Sequence, residues 1–192
     1  MTPRLETPRL VLEPLQVEDA EQVQILFPQW EVVQYLAARF PWPFPEDGVL
    51  AYYRDIALPA VGRGEEWHWT IRLKAAPATI VGAIGLMRDP EPEDAAHSNR
   101  GFWLAPEHRN RGQMTEAVVA VNDYWFETLG FLKMRTSKAA ANVTSRRISE
   151  KTGMRLVDTG ESDYICGRLP SEYWEATREE WSAWRAKHSL PD

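Results

Sequence analysis

The chain has 192 residues, 44% of them hydrophobic, and a formal net charge of −6. That length carries one sizeable core, the hydrophobic share excludes a disordered chain, and the acidic balance excludes broad electrostatic binding of nucleic acid. A single cysteine, Cys166, leaves no internal disulfide; without a basic-then-apolar leader or a long apolar run, the expectation is a cytoplasmic protein that makes no use of a membrane.

In chain order, Arg9–Leu15 reads as a strand, and the next segment, opening with Glu18, Asp19 and Glu21, as a helix whose acidic first turn suits the positive end of a helix dipole. Pro41, Pro43 and Pro45 forbid regular pairing, after which Val49, Tyr52, Tyr53 and Ile56 recur at helical spacing. "EWHWTIRLK" and "ATIVGAIGLMR" read as antiparallel neighbours, and "RGFWLAP" as a third strand beyond the acidic "DPEPEDAAHSN". In "TEAVVAVNDYWFETLGF", Val118, Val121, Trp125 and Leu129 fall three or four apart, and Gly130 is placed to end the helix. A strand "KMRTSKAA", a helix from Val143 to Thr152, and strands at "MRLVD" and "DYICGRL" follow. A tail helix at about 171–188 puts Thr177 and Glu180 in capping-box spacing, with Trp181 and Trp184 on one turn. The order β-α-α-β-β-β-α-β-α-β-β-α predicts a mixed α/β fold in a single domain over 1–192, with the tail helix as an appended element.

Basic residues gather in "RGFWLAPEHRNRGQMTEA", where Arg100, His108, Arg109 and Arg111 surround Gly112 in an otherwise acidic chain. A strand ending at Ala105 and a helix starting near Gln113 would aim unpaired backbone N–H groups, at the positive end of the helix dipole, at one spot. Gly112 permits positive φ or close approach of a ligand, and Arg109 and Arg111 add charge, a combination that suits a pyrophosphate; the rival reading is a solvated surface loop. Neither G-x-x-x-x-G-K-[ST] nor G-x-G-x-x-G occurs, against a nucleotide triphosphatase or a dinucleotide dehydrogenase. His68, His97, His108 and His188 lack ligand spacing, so no metal is expected, and Cys166, with no histidine near it in sequence, reads as a small core residue.

The run Arg109-Asn110-Arg111-Gly112-Gln113-Met114 resembles the Q/R-x-x-G-x-G/A acetyl-coenzyme A signature of the GNAT N-acetyltransferase superfamily, with Met114 in place of the final small residue. "GFWLAPEHRNRGQMTEA", "AANVTSRRISEKTGM" and "TPRLVLEPL" are similar to the branch containing the ribosomal-protein N-terminal (alanine/serine) acetyltransferases, over roughly residues 7–169. The resemblance implies a mostly antiparallel sheet splayed in its middle and flanked by helices, and direct transfer of acetyl from acetyl-CoA to a primary amine. It implies that Phe102, Trp103 and Leu104 lie along the pantetheine, with the Phe102 amide facing the thioester oxygen and the Leu104 main chain holding the arm. Arg109 and the loop through Asn110, Arg111, Gly112, Gln113, Met114 and Thr115 would cradle the pyrophosphate. Asn142 would bond the pantetheine amide and Ser145 would protonate the leaving thiolate; both residue types also cap helices. Tyr164 is the rival acid, and Glu161 or Asp163 the implied base.

His97 has the right chemistry for a base but sits in an acidic loop. His68, alternating with Trp67 and Trp69, reads either as strand packing or as an acceptor contact. Phe40, Trp42 and Phe44 are candidate pocket walls, or packing for the first helices. The expected acceptor is a protein N-terminal amine, the rivals being a small amine (antibiotic, polyamine, amino acid) or a coenzyme-binding module without catalysis. Monomer and homodimer both stay open.

Overall fold

The computed structural model describes residues 1–88 and 98–188; His97 lies outside them. Five strands form an antiparallel sheet in chain order: β1 (Leu5–Glu6), β2 (Leu10–Pro14), β3 (Glu66–Leu73), β4 (Ala76–Arg88) and β5 (Ser98–Leu104). Between β2 and β3 come α1 (Ala20–Leu26), α2 (Trp30–Val33), α3 (Gly48–Tyr52) and α4 (Leu58–Arg63), the last two joined by a π turn. After β5 come α5 (Gln113–Asp123), β6 (Lys133–Ala139), α6 (Val143–Lys151), β7 (Arg155–Tyr164), β8 (Gly167–Thr177) and α7 (Arg178–Lys187). Strands β6, β8 and β7 make a second sheet in that spatial order.

The strand alternation explains the two layers. On β3, Trp67, Trp69 and Ile71 bury against Met114, Ala117, Val118 and Val121 of α5. The opposite face of the first sheet is covered by α1 and α3, where Val23, Val49 and Tyr53 pack with Leu15 and Ile80. Helices on both faces give the strands their near-continuous apolar character. The larger cluster runs from Leu10 to Trp181, so both ends of the chain share it.

β5 and β6 are joined through α5, but among the described residues no ladder links the two sheets. The free edges follow from register. Ala105 N–H donates to the Val81 carbonyl at 3.0 Å, continuing the Gly82–Leu104 pairing. Antiparallel peptide groups alternate in direction, so those of Arg100, Phe102 and Leu104 point away from β4. Likewise Ala140 N–H donates to the Pro170 carbonyl at 2.8 Å next to the Ala139–Ser171 pair, turning the peptide groups of Arg135, Ser137 and Ala139 away from β8. This is the splayed sheet the sequence resemblance implies.

The tail departs from expectation. Residues 171–177 complete β8 against β6 and β7, so α7 begins only at Arg178, where Thr177 and Glu180 do form the reciprocal capping box. Nor is α7 a mere appendage: Trp181 is 1% exposed, stacks on Phe126 and Trp184, and donates its indole N–H to Asp123 at 3.0 Å. The strand expected at "MRLVD" is the start of a longer β7, and the one expected at "DYICGRL" straddles the hairpin turn at Ile165–Cys166 between β7 and β8. Among the described residues, no helix is long and apolar enough to cross a membrane.

Candidate active site

The loop between β5 and α5 takes the form of an anion cradle. Asn110 and Gly112 adopt positive φ, 62° and 75°, and the first bond onto the helix start runs from Glu116 N–H to the Gly112 carbonyl at 3.0 Å. Among the described residues, the amides from Asn110 to Thr115 donate to no protein acceptor. Successive N–H groups turned to one side at a helix start form a concavity for anions.

Beneath the cradle lies a group with no local signature in the sequence. Glu116, 7% exposed, accepts from Thr7 Oγ1 at 2.5 Å, the Arg9 amide at 2.8 Å and Arg9 Nε at 2.7 Å. Arg9 also donates to the Arg111 carbonyl at 3.0 Å, tying the loop to β2. Burial raises the Glu116 pKa, but the bonds from Thr7 and Arg9 outweigh it and hold the carboxyl below its ordinary range. Arg9 and Glu116 are separated by 107 positions, which is why sequence motifs miss the pair.

The basic residues of the opening stretch divide. Arg109 donates to the Leu104 carbonyl at 3.2 Å and to the Glu31 carbonyl at 3.0 Å, so its guanidinium fastens the loop to β5 and α2. The Leu104 amide remains on the open edge. Arg111 is exposed beside the cradle. Arg100 is 5% exposed and donates to Asn122 Oδ1 at 2.6 Å, which makes it part of the packing between β5 and α5.

Past the end of β6, Asn142 Oδ1 accepts from the Ser145 amide at 3.2 Å, the side-chain cap of α6. The capping expectation for Asn142 is thus met, while the Ser145 hydroxyl is half-buried and meets no hydrogen-bond partner among the described residues.

On the other side, the segment after α2 reaches the tip of the β7–β8 hairpin. Ala38 N–H donates to the Asp163 carbonyl at 2.9 Å, Ile165 N–H to Leu36 at 3.0 Å, and Cys166 N–H to Gln34 at 3.1 Å. Tyr164 is 8% exposed with its hydroxyl 2.6 Å from Ser171 Oγ. Glu161 and Asp163 occupy the opposite, exposed face of β7, and Glu161 pairs with Arg168 at 3.0 Å. Of the aromatic candidates, Phe40 lies edge-on to Tyr52, Phe44 packs on Phe27, and Trp42 meets Trp30 at the surface. Trp103 faces this side against Phe27, and Phe102 the α5 side. His68 is 9% exposed, with Nε2 at 2.5 Å from Glu66 Oε2 and its ring edge-on to Tyr52. Glu66, like Arg9, was not singled out by the sequence; two residues before a strand histidine is a same-face position, the one signal that would have found it.

A sheet opened between two free strand edges, with an anion cradle at the start of the helix crossing the gap, defines the architecture of a coenzyme A-dependent acyltransferase. The model of the acetyltransferase (GNAT) domain matches residues 9–155, and the chain belongs to that family. It is an acetyl-CoA-dependent N-acetyltransferase. The chain is 27% identical over 155 residues to the Bacillus subtilis (strain 168) protein described as uncharacterized N-acetyltransferase YoaA, covering 81% of this chain and 84% of that one. Two solved structures share the fold. The ribosomal-protein-S5-alanine acetyltransferase of Vibrio fischeri superposes with a TM-score of 0.79 at 12% identity, over 93% of this chain and 98% of that one. Mycobacterium smegmatis RimJ, in complex with CoA-disulfide, gives 0.78 at 14% identity, over 94% and 90%.

Proposed function

We infer that the acceptor is the α-amine of a protein N-terminus, and that acetyl-CoA lies in the gap between β5 and β6. The observation that carries the coenzyme site is the unbroken run of unpartnered amides from Asn110 to Thr115, continuous with the free edge of β5. The pyrophosphate takes those amides, its charge favoured by the α5 dipole. The pantetheine amides pair with the outward peptide groups of Phe102 and Leu104, as a further strand would. At the far side of the gap, the Asn142 side-chain N–H₂ meets a pantetheine carbonyl, since its Oδ1 is occupied by the cap. The Ser145 hydroxyl supplies the proton or hydrogen bond that the departing thiolate needs.

One observation supports a peptide acceptor. Solved proteins of the same fold are named as ribosomal-protein acetyltransferases. An N-terminal α-amine has a pKa of about 7.7–8.0, against about 10.4 for a lysine side chain, so it is more often neutral and ready to attack.

The test is an acceptor screen by release of free coenzyme A thiol. Peptides with free N-terminal alanine or serine are compared with the same peptides N-terminally blocked and with spermidine, free amino acids and aminoglycosides. Turnover of free-N-terminal peptides with a kcat/KM at least about tenfold above every small amine is expected. Preference for a small amine would replace the peptide reading while leaving the coenzyme site in place.

A further inference from the structure

β3 presents a second chemical group, on the face opposite α5. Glu66 and His68, two residues apart on one strand, share a face, and Nε2 of the imidazole is 2.5 Å from Glu66 Oε2. Both side chains are largely withdrawn from solvent, at 22% and 11% exposure. Tyr52 of α3 lies edge-on to the ring with centroids 6.4 Å apart, and Phe40 lies edge-on to Tyr52 at 6.4 Å.

The surroundings direct the ring. His68 pairs across the ladder with Gly85 of β4, and Gly85 in turn with Gly101 of β5. A Cβ on Gly85 would collide with the imidazole edge that carries Nδ1 and Cε1, so the ring leans over β4 toward β5. Gly101 adds no side chain at the next step. The line from the imidazole to the residue before Phe102 runs over these two glycines, with Met87 Cε 3.5 Å from where a Gly101 Cβ would stand. Packing alone explains Trp67 and Trp69, which face the core on the other side. It does not explain a buried histidine with a carboxylate on one nitrogen and a glycine beside its other edge.

We propose that Glu66 and His68 form the dyad that takes the proton from the acceptor amine. The reading rests on acetyl-CoA lying along β5. Glu66 accepts from Nε2–H and fixes the tautomer, which leaves Nδ1 as the proton acceptor over Gly85. The acceptor ammonium gives one proton to Nδ1, and its freed lone pair attacks the thioester carbonyl carbon. The C–N bond forms as the carbonyl becomes an oxyanion. Collapse breaks the C–S bond, and the second amine proton goes to the thiolate. Products are the amide and coenzyme A thiol, with the imidazolium, stabilised by Glu66, returning its proton to water.

Among the described residues, the titratable and charged groups facing His68 are few. Glu66 comes from β3 itself, Tyr52 from α3, and Arg39 acts on Tyr52 from the loop before it; opposite the ring, β4 presents Gly85. Burial first, and then the Glu66 charge, push the Tyr52 phenol up to about 12, so it stays protonated and forms a wall of the site rather than a rival base. Of the two carboxylates implied by family resemblance, Glu161 points outward into a pair with Arg168, and Asp163 lies on the same exposed face.

Two measurements on the intact protein test the dyad. First, acetyl-CoA is titrated into protein with ¹⁵N-labelled histidine; the His68 ring signals should move and those of His188 should not. An unmoved His68 overturns the dyad whatever the acceptor is. Second, kcat/KM is followed against pH for wild type, His68→Asn and Glu66→Gln, using whichever amine of the screen is turned over. His68→Asn should lose about tenfold at pH 7 for an α-amine of pKa about 8, with the loss growing as pH falls and acetyl-CoA affinity kept, and should converge on wild type above the pKa of the amine, where no base is needed. Glu66→Gln should shift the acidic limb of the profile to lower pH. A loss that is uniform across pH, or no loss, overturns the proposal. If His68 responds and the acceptor proves to be a small amine, only the peptide reading falls.

Discussion

At the scale of single residues, the proposed coenzyme site turns most on Gly112. It holds φ of 75° at the head of α5, with Arg9 Nη2 3.5 Å from where a Cβ would stand. A valine there must adopt a left-handed conformation that costs a β-branched residue about 1–2 kcal/mol or more, or else turn the amide run out of line. Gly112→Val is expected to weaken acetyl-CoA binding at least about tenfold in calorimetric titration, with circular dichroism unchanged; unaltered affinity would remove the loop from the coenzyme site. This residue was legible in the sequence because a helix start is local: a handful of consecutive residues carry the φ, the dipole and the amides. The roles of Arg109 and Glu116 were not legible. Arg109 reads as a phosphate ligand by charge, and its Nε and Nη2 also hold the Leu104 and Glu31 carbonyls. Glu116, in the first turn of α5, holds Thr7 and Arg9 from the other end of the chain. A side chain's partners across the fold leave no trace in local spacing.

At the scale of elements, β5, α5, β6 and α6 matched their expected positions because each carries both a periodicity and a stop. The β7–β8 hairpin did not. Its outer positions are polar and exposed, so the alternation that marks a half-buried strand is faint, and residues 171–177 read as the approach to a helix. α7 shows the same limit in energetic form. The sequence placed Trp181 and Trp184 on one turn, but whether they faced their own protein or a partner was open. Here Trp181 fills the space over α5, with ring centroids 5.9 Å from Phe126 and 5.0 Å from Trp184. Trp181→Ala should therefore destabilise the protein by about 3–5 kcal/mol, read as a lower midpoint in urea. A change within about 0.5 kcal/mol would show that α7 does not close the core.

At the scale of the whole molecule, a buried charge cluster sets how stability responds to pH. Lys138 of β6 lies opposite Glu172 of β8, 3.1 Å from Thr136 Oγ1 and over the ring of Trp174. Burial, then the nearby charge of Arg100, pull its pKa from 10.5 down to about 7, against the opposing effect of Glu172. The unfolded chain keeps this proton until its ordinary pKa, whereas the folded chain releases it near pH 7. The unfolded state therefore binds more protons across that window, and stability rises with pH, by up to about 1.4 kcal/mol per unit. Lys138→Met should remove that rise, measured as the urea midpoint between pH 7 and 9; an unchanged slope would assign the dependence to other groups.

The open seam between β5 and β6 has a consequence for how the molecule holds together. Each sheet is internally laddered, but across the seam the peptide groups of Phe102 and Leu104 on one side, and Ser137 and Ala139 on the other, have no main-chain counterpart. Acetyl-CoA is chemically an amide-bearing chain, and on the proposed placement it would take the place of a strand that the polypeptide omits. The cofactor would then be a removable piece of the architecture: the free protein is two β units joined by side-chain packing and helices, and the loaded one would have a continuous mesh. Each catalytic cycle, by discharging and releasing coenzyme A, would undo and remake that mesh, so turnover and the mechanical unity of the fold share one set of hydrogen bonds.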